Sequence, residues 1–104
     1  MSPRQKKPIR WHHAAVDDLA GIVEYIARNA PQEAEQFAER LLSRVELLSD
    51  FPHLGPVCPH YRKARQLIHG KYIVYYTVHR QELVIRALVH GARLFRSYWL
   101  RRED

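Results

Sequence analysis

The chain has 104 residues, 46% of them hydrophobic and 27% charged, with a net charge of +6; this is the balance of one globular domain, neither disordered nor membranous. No apolar run approaches the roughly 20 residues that cross a bilayer, and the basic start at residues 1–8 has no apolar stretch behind it, so a cytoplasmic protein without a membrane partner is expected. The single cysteine, Cys58, agrees with a reducing compartment and sits between prolines as a tolerated loop thiol.

In chain order, residues 1–7 read as a frayed arm, followed by a short strand at Ile9, Arg10 and Trp11, because Lys-Lys-Pro before it stops a helix. From Ala14 to Asn29 the apolar positions Val16, Leu19, Val23 and Ile26 recur at helical spacing, with Asp17 and Asp18 in the first turn, where the helix dipole favours acids. Pro31 restarts the pattern with Asn29 as a nearby cap, and a second helix runs to Ser49 on the stripe Ala34, Phe37, Ala38, Leu41, Val45 and Leu48. So short a connection folds the two helices into an antiparallel hairpin.

Residues 50–60 hold three prolines and a glycine and form a surface loop. Three runs rich in Val, Ile and Tyr follow, Arg65–His69, Lys71–Val78 and Leu83–Val89, joined by polar hairpin connections around Gly70 and residues 79–82. The order is strand, helix, helix, strand, strand, strand: an α+β domain with a helical hairpin packed on a small antiparallel sheet. It forms a single domain over 1–104, with residues 95–104 a tail. Alternation along the last strand puts Leu83, Ile85, Ala87 and Val89 on the core face and Val84, Arg86, Leu88 and His90 on the face left to water or to a partner.

Charge is segregated. Residues 1–50 hold seven Lys or Arg against eight Asp or Glu, whereas residues 51–102 hold ten against Glu82 alone. A half so poor in acid presents a positive face to phosphates or to an acidic protein segment. Seven histidines invite a metal reading, but no ligand spacing supports one, and isolated glycines make no phosphate loop, so neither metal nor cofactor is expected. What remains is a basic and aromatic cluster: Arg62, Lys63, Arg65, Lys71, Tyr72, Tyr75, Tyr76, Arg86, His90, Arg93, Arg96, Tyr98 and Trp99. Arginine forks fit phosphate oxygens and aromatic rings can stack on bases, although alternation sends some of these tyrosines to the core.

Several short motifs recur in a telling order. They are Trp-x-x-x-Ala-x-x-Asp-Leu at 11–19, Phe-Pro-x-x-Gly at 51–55, Arg-x-Leu at 65–67, Gly-x-Tyr-x-Val-x-Tyr at 70–76 and the closing His-Gly-Ala-Arg at 90–93. In this respect residues 9–93 resemble the RelE/ParE toxin superfamily. The resemblance implies a type II toxin held by a cognate antitoxin, expected to be an acidic segment that folds on binding and forms a hetero-oligomer with the toxin. RelE-like members cut mRNA in the ribosome; ParE-like members block DNA gyrase without known catalysis. The arginine that follows the central-strand tyrosine in RelE-like nucleases is replaced here, since Tyr72 is followed by Ile73. Arg93 matches the arginine after the final glycine, and Tyr98 or Trp99 falls near the place of a terminal catalytic tyrosine. A nuclease would then use His90 as base with Arg65, Arg93 and Tyr98. The long hairpin with Glu24-Tyr-Ile and the Phe51–Gly55 loop look closer to the ParE branch, in which Arg62, Lys63, Arg65, Arg86, His90, Arg93 and Arg96 become target or antitoxin contacts.

Overall fold

In the computed structural model, which describes residues 6–100, the elements are β1 (Ile9–Trp11), α1 (His13–Ala27), α2 (Pro31–Asp50), β2 (Arg65–His69), β3 (Tyr72–Val78), β4 (Leu83–His90) and a short 3₁₀ helix (Ser97–Trp99). The sheet order is β1-β4-β3-β2. Strands β2, β3 and β4 form the expected antiparallel meander, and β1 adds to its edge in parallel with β4, Ile9 opposite Leu83. The sheet is therefore mixed, because the two-helix crossover carries the chain from one sheet edge to the other.

Helix α1 begins one residue earlier than its apolar pattern suggests. His12 is extended and buried, its Nδ1 accepts from the Ala14 N–H at 3.0 Å, and its own N–H donates to the Ile85 carbonyl at 2.9 Å. One histidine thus ends the parallel ladder and caps the helix. The early start moves Asp17 and Asp18 out of the first turn. The face turned to the core carries buried Ala15 with partly buried Leu19 and Ile22, leaving Val16 about half exposed. Helix α2 has Pro31 in its first turn, but Ala30 occupies the cap and makes no side-chain bond, so Asn29 plays no capping part. Ala34, Leu41, Val45 and Leu48 are buried as their spacing predicts, and each fully buried Leu or Val contributes about 1.5–3 kcal/mol.

These helices cover one face of the sheet, packing on Leu67, Val74, Tyr76, Leu83, Ile85 and Leu88. The opposite face, expected to be open, is covered by the chain itself. Cys58 and Ala64 of the loop and Trp99 and Leu100 of the C-terminal segment close over Tyr75, Ala87 and Val89, with Tyr61 and Phe95 at the margin. Cys58 is fully buried in this second core. Residues 95–100 are thus part of the fold, while residues 101–104 of the expected tail, like residues 1–5 of the expected arm, lie outside the described residues. At the arm's end, Lys7 exchanges hydrogen bonds with Ser49 and its Nζ donates to the carbonyls of His79 and Arg80.

Strand β4 does not keep strict alternation. Tyr75 pairs with Ala87 and Tyr76 with Ile85, which leaves Arg86 as an extra, bulged residue. Because side chains alternate with period two, one inserted residue exchanges the faces beyond it. Leu83 and Ile85 face the helices as expected, but after the bulge Leu88 does so too, while Ala87 and Val89 join the second core. Arg86 and His90, which alternation placed together, are separated by this shift.

Candidate functional site

The bulge delivers His90 to the helix side of the sheet. There its ring meets Tyr72 edge-on at 5.2 Å, and Tyr72 in turn meets Phe37 of α2 at 5.2 Å. The turn after β4 is held by His90 Nδ1, which accepts from the Ala92 N–H at 3.0 Å, and by the His90 carbonyl, which accepts from the Arg93 N–H at 3.0 Å. Arg93 lies 5.3 Å from the ring centre of buried Trp99, a cation–π contact that ties this turn to the second core.

Together these residues form one wall of an open groove of about 910 Å³ between α1, the start of α2 and the ends of β3 and β4. Lys71, His90 and Arg93 line the sheet side; Asp17, Asp18 and Glu33 line the helix side; Ile22, Ile26, Phe37, Tyr72 and Leu88 make an apolar floor. Asp18 also accepts from the Leu88 N–H at 3.1 Å, which clamps α1 onto β4. Gly21 borders the groove with no atom within 4 Å of the position a Cβ would take. A glycine inside a helix costs about 1 kcal/mol relative to alanine, and neither the helix nor its packing asks for one here. Apolar floor, charged rims of opposite sign and a bare helix surface suit a peptide segment better than a small polar substrate.

The other cations selected from sequence go elsewhere. Arg65 donates to the carbonyls of Gly55 at 2.8 Å and of His53 at 3.4 Å. Gly55 in turn donates its N–H to the buried Tyr76 hydroxyl at 2.9 Å, so Arg65 and Tyr76 hold the Phe51–Gly55 loop between them. Arg65 is opposite Tyr76 and His90 is opposite Tyr72, which separates them by four residues, or about 13 Å, along β3. Arg86 lies in the bulge, its Nε donating to Thr77 Oγ1 at 3.1 Å, and Thr77 Oγ1 is 2.8 Å from His79 Nε2. Arg62 and Lys63 are exposed on the loop, Arg96 precedes the 3₁₀ helix, and Tyr98 is 61% exposed. Of the four residues of the nuclease set, only His90 and Arg93 share a site. Glu82, the lone acid of residues 51–102, is engaged by Arg10 through paired bonds of 2.9–3.2 Å.

Lys71 belongs to the basic cluster read from sequence, whereas Asp17, Asp18, Gly21 and Tyr25 were missed as groove residues. A signal for three of them was present: Asp17, Gly21 and Tyr25 are four residues apart, one exposed stripe of α1.

Residues 9–95, essentially everything from β1 to the turn after β4, match the model of the family described as the ParE toxin of the type II toxin–antitoxin system, parDE. The chain belongs to the ParE toxin family. A chain of the chromosomal ParDE toxin–antitoxin system from P. aeruginosa has the same fold as this ParE-family protein, with a TM-score of 0.73 at 18% identity, covering 82% of this chain and 96% of that one. No curated protein matches it in sequence. Among the described residues of this ParE-family chain, no helix is long and apolar enough to cross a membrane.

Proposed function

We propose that this ParE-like toxin acts in the cytoplasm by binding DNA gyrase without turning over a substrate, and that its antitoxin occupies the groove between α1 and the sheet end. The observation that carries a binding mode over catalysis is the position of Arg65. It is engaged by loop carbonyls and stands about 13 Å along the sheet from His90, whereas cutting RNA needs base, acid and phosphate cations around one phosphorus. The absence of arginine after Tyr72 points the same way.

An antitoxin segment that orders on binding would set apolar side chains on Ile22, Ile26 and Phe37 and acidic ones toward Lys71 and Arg93. Arg62, Lys63, Arg86 and Arg96 lie outside the groove and are left as contacts for the target.

Gyrase supercoiling with the purified toxin tests the target directly. Inhibition that an Arg93→Ala variant still produces, but that antitoxin no longer relieves, supports both assignments. Unimpaired supercoiling, together with mRNA cut at codons when the toxin is expressed alone, would instead establish the RelE-like ribosome-dependent endoribonuclease. In that case His90 and Arg93 become the catalytic suspects.

A further inference from the structure

A second concave site lies on the other side of Phe37, where α2 passes over the end of β2 at Ile68 and His69. It is a shallow notch of about 500 Å³ lined by Glu39, Arg40, Ser43, Arg44 and His69. Arg44 is fixed there: its guanidinium donates to the Ile68 carbonyl, and the same nitrogen stands 3.5 Å from His69 Nδ1. Arg40, one turn earlier, has no hydrogen bond or ion pair among the described residues. Two guanidinium groups at this spacing repel each other and oppose the helix that carries them.

The imidazole registers this field. Burial first, then the charges of Arg44 and Arg40, hold His69 below the ordinary value of 6.5. The other groups facing the ring are Glu39 on the same helix and Tyr72, opposite it on β3, with Phe37 at 5.4 Å. With two arginines against the single rim acid Glu39, the notch keeps a net positive charge that an anionic ligand would offset.

We infer that the notch between Arg40, Ser43, Arg44 and His69 is a binding site for a phosphate group. Arg40, Arg44 and the Ser43 hydroxyl are three separate donors. A tetrahedral phosphate offers an oxygen to each of them, while a planar carboxylate has only two oxygens. Once the anion is seated, its charge favours protonated His69, which can then add a fourth contact. Glu39 opposes the ligand from the rim. The site is distinct from the groove and does not depend on gyrase being the target.

The test is imidazole NMR of the whole chain titrated with inorganic phosphate at low salt. The His69 resonances should move saturably and its titration midpoint should rise, while exposed His13, His53 and His60 stay in place. Losing one charge-assisted contact in Arg40→Gln should weaken phosphate by about fivefold or more, and Glu39→Gln should tighten it. Both residues are exposed, so neither change endangers folding. The inference is overturned if His69 responds no more than the exposed histidines, or if Arg40→Gln binds phosphate as the parent does. A single-stranded oligonucleotide that displaces the phosphate identifies nucleic-acid backbone as the source of the group; failure to displace it identifies a small phosphate.

Discussion

Replacing Gly55 by alanine puts a Cβ 2.4 Å from the Gln66 carbonyl oxygen, 2.9 Å from the Tyr76 hydroxyl and 3.0 Å from the Gln66 carbonyl carbon. Neither neighbour can yield, because Gln66 is in the β2–β3 ladder and Tyr76 is fully buried. The loop must therefore lift, breaking the Gly55 N–H bond to Tyr76 and the Arg65 bond to the Gly55 carbonyl. Overpacking costs about 1–3 kcal/mol, and a buried phenol left without its partner about 1–3 kcal/mol more. A loss of about 4 kcal/mol is expected, a large share of the roughly 5–15 kcal/mol that stabilises a domain. Urea unfolding followed by tryptophan fluorescence measures it, with an expected fall in midpoint of about 2 M for a typical small-domain slope. Tyr76→Phe removes the hydroxyl but leaves the Gln66 carbonyl, so the double variant should be little worse than Gly55→Ala alone. A Gly55→Ala protein within about 0.5 kcal/mol of the parent, or strictly additive costs, would refute the account of this loop.

Three further outcomes follow from the same packing. Trp99→Ala should lose about 3–5 kcal/mol in the same urea assay, because Trp99 is buried against Tyr75 and Phe95; a loss below about 1 kcal/mol would mean that the C-terminal segment is not part of the core. Gly21→Ala should raise stability by about 0.5–1 kcal/mol yet weaken antitoxin binding in a titration, and unchanged binding would show that no partner backbone approaches α1 there. Stability should decline at both ends of the pH range. His69 is held below its ordinary 6.5, so the unfolded chain binds the extra proton and stability falls as pH drops through 6.5 toward the folded value. Tyr76 and Tyr75 are raised above 10.0, chiefly by burial, so their contribution is present below pH 10 and is lost as pH rises through the folded values. Thermal melts in His69→Gln and Tyr76→Phe should flatten the acid and alkaline limbs respectively; limbs of unchanged slope would count against these assignments.

Much of the fold was legible because its determinants are local. The stripe from Ala34 to Leu48, Pro31 at the start of α2 and the three β-rich runs act within a few residues of chain, and that is enough to specify a helical hairpin and a meander. The motifs that carry the family resemblance fall on those same elements, and with hindsight they are structural: Gly55 and Arg65 hold one loop, and Tyr76 seals it.

The site was legible only in part, because it depends on where distant segments meet. His90 and Arg93 were picked out in the closing His-Gly-Ala-Arg motif, but alternation placed His90 beside Arg86, and only the register of β4 against β3 revealed the bulge that parts them. Asp17, Gly21 and Lys71 come together as one groove only when α1 is laid across the ends of β3 and β4. The covered second face, where Cys58 and Trp99 belong to one cluster, arises from contacts between distant segments, such as Phe95 against both His60 and Tyr75. Periodicity and turn residues thus determined which elements form, and the short motifs which family they resemble, since each acts along the chain. Which side chains share a groove was decided by one inserted residue and by long-range packing, whose energies arise between segments that the sequence lists far apart.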